Sequence, residues 1–215
     1  ILTISAYTKG EKNLVPKNHE IAWEQFILQS VSKGFKLEQT AKVKIYEEEK
    51  TISISGEDCN IVFNKTNGLI TKLSYKNGVN LIKDGKGFTP NFWRAPIDND
   101  FGNDLHKRCE EWRYVSENRV LANLNISEKG NNALVSVSYN LNNEAGKNIA
   151  VFISNYTINV KGKIVVENQF VKTRNNLSET PRIGLNIQLI GSLDQMTWYG
   201  RGPYESYWNL YWECC

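Results

Sequence analysis

The sequence has no apolar run near the roughly 18 residues a membrane-spanning helix needs, so a membrane partner is not expected. It has no excess of one charge either. Lys and Arg number 26 against 23 Asp and Glu, a net charge of +3, and the basic residues lie scattered among acidic ones. Nucleic-acid binding needs a basic stripe, and none is present. The four cysteines, Cys59, Cys109, Cys214 and Cys215, make no CxxC, and only His19 and His106 are available to join them. Zinc requires clustered donors at short spacings, so no metal site is expected. No GxSxG, HExxH or Gly-rich phosphate loop occurs. The chain opens at Ile1, without Met and without the regions of a signal peptide. It reads as an excised or processed piece, and its compartment is not legible.

What is present is aromatic and β-patterned. Aromatic residues make up 11% of the chain, with six Trp and ten Tyr, and these rigid amphipathic side chains serve cores, interfaces and sugar-stacking surfaces alike. Residues 1–7 (ILTISAY) alternate apolar and polar positions, as a half-buried strand does. The run from His19 to Leu28 puts Ile21, Trp23, Gln25 and Ile27 on one strand face. Residues 30–40 show no period and read as a linker.

Strands are then expected at 42–46, 51–55, 60–64, 69–75 and 79–82, with Asn67-Gly68 and Asn77-Gly78 as hairpin turns. Longer strands follow at 120–128, 133–141, 149–160 and 163–172, then 182–190 and 195–199. One helical turn fits between Asn103 and Trp112. No strand–helix–strand alternation appears, which excludes a Rossmann fold or a (β/α) barrel. The expected class is all-β, a sandwich of antiparallel strands.

Two segments concentrate chemistry. The first, 91–102, holds Trp93, Arg94, Asp98, Asn99, Asp100 and Gly102 around Pro96. Read functionally, it is a sugar site of carboxylates, amide and aromatic face. Read structurally, it is a turn locked by Arg94 to Asp98 or to Asp100, and the chemistry alone favours this second reading. In a strand, Asp98 and Asp100 would share a face about 6.6–6.8 Å apart. That is near the roughly 6.5–9.5 Å of inverting glycosidase pairs. Neighbours on one loop, however, rarely have the two different environments, or the opposed placement, that such a pair requires. The second segment, 198–207, gathers Trp198, Tyr199, Arg201, Tyr204, Glu205 and Tyr207 between Gly and Pro. It is either an aromatic ledge for saccharide or a tight corner with an Arg–Glu pair, and both readings stand. His19 beside Glu20 is a third candidate, but a lone His at a strand start is more often a turn residue.

In this order, the segments HEIAWEQF (19–26), RAPIDNDFG (94–102), RIGLN (182–186) and WYGRGPYESY (198–207) resemble the β-galactosidases of glycoside hydrolase family two. The resemblance implies terminal strands of an immunoglobulin-like sandwich over residues 1–31, a linker at 32–41, and over 42–215 the N-terminal part of a galactose-mutarotase-like supersandwich. It implies hydrolysis of terminal β-galactosides with retention, by two glutamates on a central barrel that these residues do not include, leaving no catalytic residue in this chain. It also implies no cofactor in this chain, the family's divalent metal belonging to that barrel. The expected partners are the rest of the parent chain, a β-galactoside, and further copies, in a homo-oligomer or by strand-edge association. The parent fits bacterial cytoplasm or periplasm. The family's last domain leans over the barrel mouth, which assigns pocket support to Arg94, Asp98, Asn99, Asp100 and Gly102 and to the loop from Phe101 to Asp104. The likeness frays after Tyr207, where the chain reads WNLYWECC. A stand-alone carbohydrate-binding sandwich and a subunit-contact module are the alternative readings.

Overall fold

A computed structural model describes residues 2–11, 14–26, 41–76 and 78–197. They fall into two compact units, one carrying residues 2–26 and 194–197 and the other residues 41–193. The first holds an antiparallel hairpin of β1 (Leu2–Tyr7) and β2 (Glu20–Phe26), in register from Leu2 opposite Phe26 to Ala6 opposite Ala22. Thr8 closes it, its hydroxyl donating to Pro16 O at 2.8 Å while its amide donates to His19 O at 2.9 Å. Alternation predicts a half-buried strand at β1, but Leu2, Ile4 and Tyr7 are all exposed. A two-stranded ribbon has no second layer of its own in which to bury a face.

The second unit is an all-β sandwich. One four-stranded sheet runs in the order β3-β4-β5-β6 (Lys44–Glu47, Thr51–Ser55, Cys59–Asn64, Ile70–Tyr75). The other runs β11-β10-β9-β8 (Ile164–Lys172, Asn148–Ile158, Asn132–Asn142, Val120–Lys129). All neighbouring strands are antiparallel, joined by short turns. Period-two alternation sends Ile52, Ile54, Ile61 and Phe63 inward from one sheet, and Val135, Val137, Tyr139, Leu141, Phe152 and Tyr156 inward from the other. The two faces meet ring to ring, Phe63 edge-on to Tyr156 with centroids 5.3 Å apart.

Polar groups fix how the sheets are aligned. Tyr75 donates its hydroxyl to Gly162 O at 2.8 Å, and Tyr139 donates to Asn67 O at 3.1 Å. Each ties one sheet to a turn of the other. The Asn67-Gly68 turn forms as expected, with Gly68 at φ +70° and its amide donating to Asn64 O at 2.8 Å. A Cβ at Gly68 would stand 2.5 Å from Val137 Cγ1 and 2.7 Å from the Tyr139 hydroxyl, so this site needs glycine for space as well as for φ.

Three expected strands change. Residues 79–82 do not form one, because the Asn80 side chain replaces the ladder: Oδ1 accepts from the Leu73 and Ile82 amides at 3.0 Å, and Nδ2 donates to Thr71 O at 2.8 Å. Only the Ile82–Leu189 bridge remains there. Residues 182–190 shorten to β12 (Gly184–Asn186), paired with β7 (Thr89–Asn91). Residues 195–197 are not in a strand, and the rest of the expected 195–199 run lies outside the described residues.

Candidate functional site

The chain leaves β7 through Phe92, which is fully buried with its ring 5.6 Å from Phe152 and 5.3 Å from Phe170. Trp93 is partly buried and packs on the same core. Its body is thus engaged in packing. Arg94 to Pro96 follow as irregular chain, and Asp98–Gly102 form a short helix, α1.

Sequence alone leaves Asp98 and Asp100 as equal partners for Arg94; the structure selects Asp100. Arg94 Nη2 donates to Asp100 Oδ1 at 2.9 Å, and Nη1 donates to Oδ2. The Ile97 amide also donates to Oδ2, at 2.9 Å. Ile97 precedes the helix without a capping side chain, so Asp100, at the third helical position, reaches back and does that work. Asp98 and Asn99 lie exposed on the turn.

The helix also changes the paired-carboxylate geometry. At 3.6 residues per turn, positions two apart lie about 200° apart around the axis, so Asp98 and Asp100 diverge rather than share a face. Asp100 is only 5% exposed, the one buried charged side chain among the described residues. Hydrogen bonds from Arg94, then from the Ile97 amide, hold its carboxyl below the usual carboxylate range. It is ionised at neutral pH with both oxygens engaged, which suits a clamp and not a proton donor.

A pH signature follows. A carboxyl held lower in the fold than in the unfolded chain contributes stability that is full above its unfolded value of about 3.9. That contribution is lost as pH falls through the lower folded value. Urea unfolding is expected to show Asp100→Asn less stable than wild type at pH 7, with the gap closing in strong acid. A gap that stays constant down to pH 2 would remove the clamp from the account.

Beyond α1, Asn103 Oδ1 accepts from the Leu105 amide at 3.1 Å and from Arg108 Nη2 at 3.3 Å. Asp104 takes the left-handed conformation, φ +55°, and starts α2 (Leu105–Arg108), followed by a 3-10 turn, Glu110–Trp112. The expected helical turn at 103–112 is therefore present, with α1 added before it. Glycine at 102 is not demanded by space, since a Cβ there would meet nothing within 4 Å.

Sequence reasoning missed a network farther on. Glu111 Oε1 accepts from the Ser178 amide at 2.7 Å and from its hydroxyl at 2.8 Å, and Trp112 Nε1 donates to Ser178 Oγ at 3.0 Å. Lys172 Nζ donates to Ser178 O at 2.6 Å, and Arg108 pairs with Glu179. Nothing local marks partners separated by 66 and 67 residues in the chain. An open groove of about 880 Å³ lies beside this network, lined by Lys107, Glu110, Asn143, Glu144 and Asn176 among others. None of the residues expected to form a site lines it. Trp198, Tyr199, Arg201 and Glu205 lie outside the described residues. Among the described residues no three His, Cys, Asp or Glu side chains gather to hold a metal.

The family profile described as beta galactosidase small chain matches residues 55–209, a span that contains the Arg94–Asp100 clamp and both short helices. The chain belongs to the β-galactosidase small-chain family. Among curated relatives, the β-galactosidase of Priestia megaterium is 30% identical over 97% of this chain and 20% of its own length. That of Clostridium acetobutylicum is 28% identical over 96% of this chain and 22% of its own length. That of Lactococcus lactis is 27% identical over 96% and 21% respectively. The small-chain sequence thus spans about a fifth of each of these β-galactosidases. In small-chain terms, the clamp is an internal lock at the exit of β7.

Proposed function

We propose that this chain is a non-catalytic section of a β-galactosidase that hydrolyses terminal non-reducing β-D-galactosides with retention. On this reading the catalytic glutamates and the divalent metal sit on a barrel in the remainder of the enzyme, outside these 215 residues. The observation that carries it is the state of Asp100: it is tied off by Arg94 and Ile97, and no second carboxylate is buried among the described residues. Glycoside hydrolysis needs two carboxyl groups flanking one bond. Coverage of only about a fifth of the named relatives supports the same division of labour.

The role proposed for the clamp is support of the sugar pocket. It fixes α1, so that Asp98, Asn99, Gly102 and the loop from Phe101 to Asp104 are presented as a rigid wall. Residues 2–26 are proposed as terminal strands of an immunoglobulin-like sandwich, and residues from 42 onward as the first part of a supersandwich. Both β8 and β11 are edges among the described strands, each paired on one side only, which supports strand-edge association of the isolated chain. Sedimentation showing a monomer at high concentration would argue against that association.

The test of function is direct. The purified 215-residue chain is expected to release no nitrophenol from a chromogenic β-galactoside above the no-protein blank. Turnover that disappears on Asp98→Asn or Asp100→Asn would place the chemistry in this chain and end the proposal.

A further inference from the structure

Phe101 is out of place for its type. It is 53% exposed, on a helix turn that is otherwise polar. An exposed aromatic on a loose loop would signify little, but this one is held from two sides. Below it, the Arg94–Asp100 clamp and the Ile97 amide immobilise α1. Beside it, the His106 ring stands 4.9 Å away, centroid to centroid, inclined at 58°. His106 is itself fixed, because its neighbour Leu105 and, at the end of α2, Cys109 are buried in the core. The His106 Nδ1 atom is shut off from solvent with no hydrogen-bond partner among the described residues, and the ring packs against Phe101.

A pre-set aromatic face is what a pyranose needs. The C–H face of the sugar stacks on a ring, while its hydroxyls take carboxylate or amide partners. Both partner types are adjacent. Asp98 lies three residues before Phe101 on the same side of α1, and Asn99 is exposed next to it. Because the rings are already ordered, binding costs little further side-chain entropy.

We propose that Phe101, backed by His106, is a substrate-contacting platform on which a pyranose ring of the galactoside stacks. The inference rests on the proposed function and sharpens it, since it names the side chain through which this section touches sugar. It assigns Phe101 no part in bond breaking.

The experiment uses the full-length protein and hydrolysis of nitrophenyl β-galactoside and of lactose. Phe101→Ala is expected to raise KM about tenfold while kcat stays within about twofold, the mark of lost binding and not of lost chemistry. Phe101→Tyr is expected to restore KM, and Phe101→Leu, which keeps bulk without a ring face, is not. The thermal midpoints of all three should match wild type, because the side chain is largely outside the core. If the wild-type protein does not hydrolyse β-galactosides, the function itself is wrong. If it does, and Phe101→Ala leaves KM unchanged or Phe101→Leu behaves as wild type, the function stands and the platform falls. A shifted melting midpoint in Phe101→Ala together with restored KM in Phe101→Leu would likewise reduce Phe101 to a packing residue.

Discussion

Replacing Gly56 by alanine is expected to destabilise the protein by about 3 kcal/mol, at the upper end of what one added methyl does in a packed interior. Gly56 begins the turn between β4 and β5, where that turn meets the one joining β10 to β11. A Cβ there would overlap the Val160 carbonyl oxygen and stand 2.8 Å from Cys59 Sγ. The carbonyl cannot step aside cheaply, because it accepts the Glu57 amide at 2.8 Å. Gly162 sits in the same seam, where a Cβ would lie 2.6 Å from both Cys59 Cβ and Tyr75 Cε1. The added methyl must therefore push the two sheets apart or break the bonds that align them. Urea unfolding should give a lower midpoint with an unchanged slope. Gly102→Ala, with nothing within 4 Å of its new methyl, is the control and should stay within about 0.5 kcal/mol of wild type. Equal stability of Gly56→Ala and wild type would mean that the seam is not close-packed.

Replacing Trp112 by alanine should cost about 3–5 kcal/mol, the range for removing a large aromatic from a core. Trp112 is 0% exposed, the largest fully buried side chain described. Its ring lies 5.7 Å from that of Phe170 on β11, and the Lys172 ammonium sits 5.2 Å above it. Its Nε1 donates to Ser178 Oγ, so truncation opens a cavity and also leaves that hydroxyl with Glu111 as its remaining partner. Trp112→Phe separates these effects. It retains most of the ring and loses the donor, so about 1 kcal/mol is expected from the hydrogen bond, plus a smaller packing loss. A Phe variant as damaged as the Ala variant would show that the polar tie, and not the ring, dominates.

Much of the sandwich is legible in the chain's own pattern. The long strands β8 to β11 match their alternating runs to within about two residues, because a sheet with one buried face must alternate. Turns at Gly68 and Gly162 are marked by residues that accept positive φ. The pattern fails where side chains act for backbone. Asn80 displaces a strand by bonding the β6 ladder itself, and Asp100 builds a helix start where Ile97 offers no cap. A period of two or of 3.6 carries no sign of either substitution.

The candidate site divides in the same way. That Arg94 would bind an aspartate is legible, since a guanidinium beside two carboxylates has few alternatives. Which aspartate is not, because the choice depends on whether the segment is strand or helix. The Phe101–His106 contact requires two short helices to meet across the left-handed Asp104.

By itself the sequence determined the class of the fold, the alternation of its sheets, and the family to which its motifs belong. These are short-range properties, written in residues within one strand or one turn of each other. Only the tertiary structure decided that Asp100 and not Asp98 is locked, that Tyr75 and Tyr139 align the sheets, and that Trp112 reaches Ser178. Those pairings are chosen by packing across the sandwich or by the local helix that packing allows, and chain separation hides them until the sheets close.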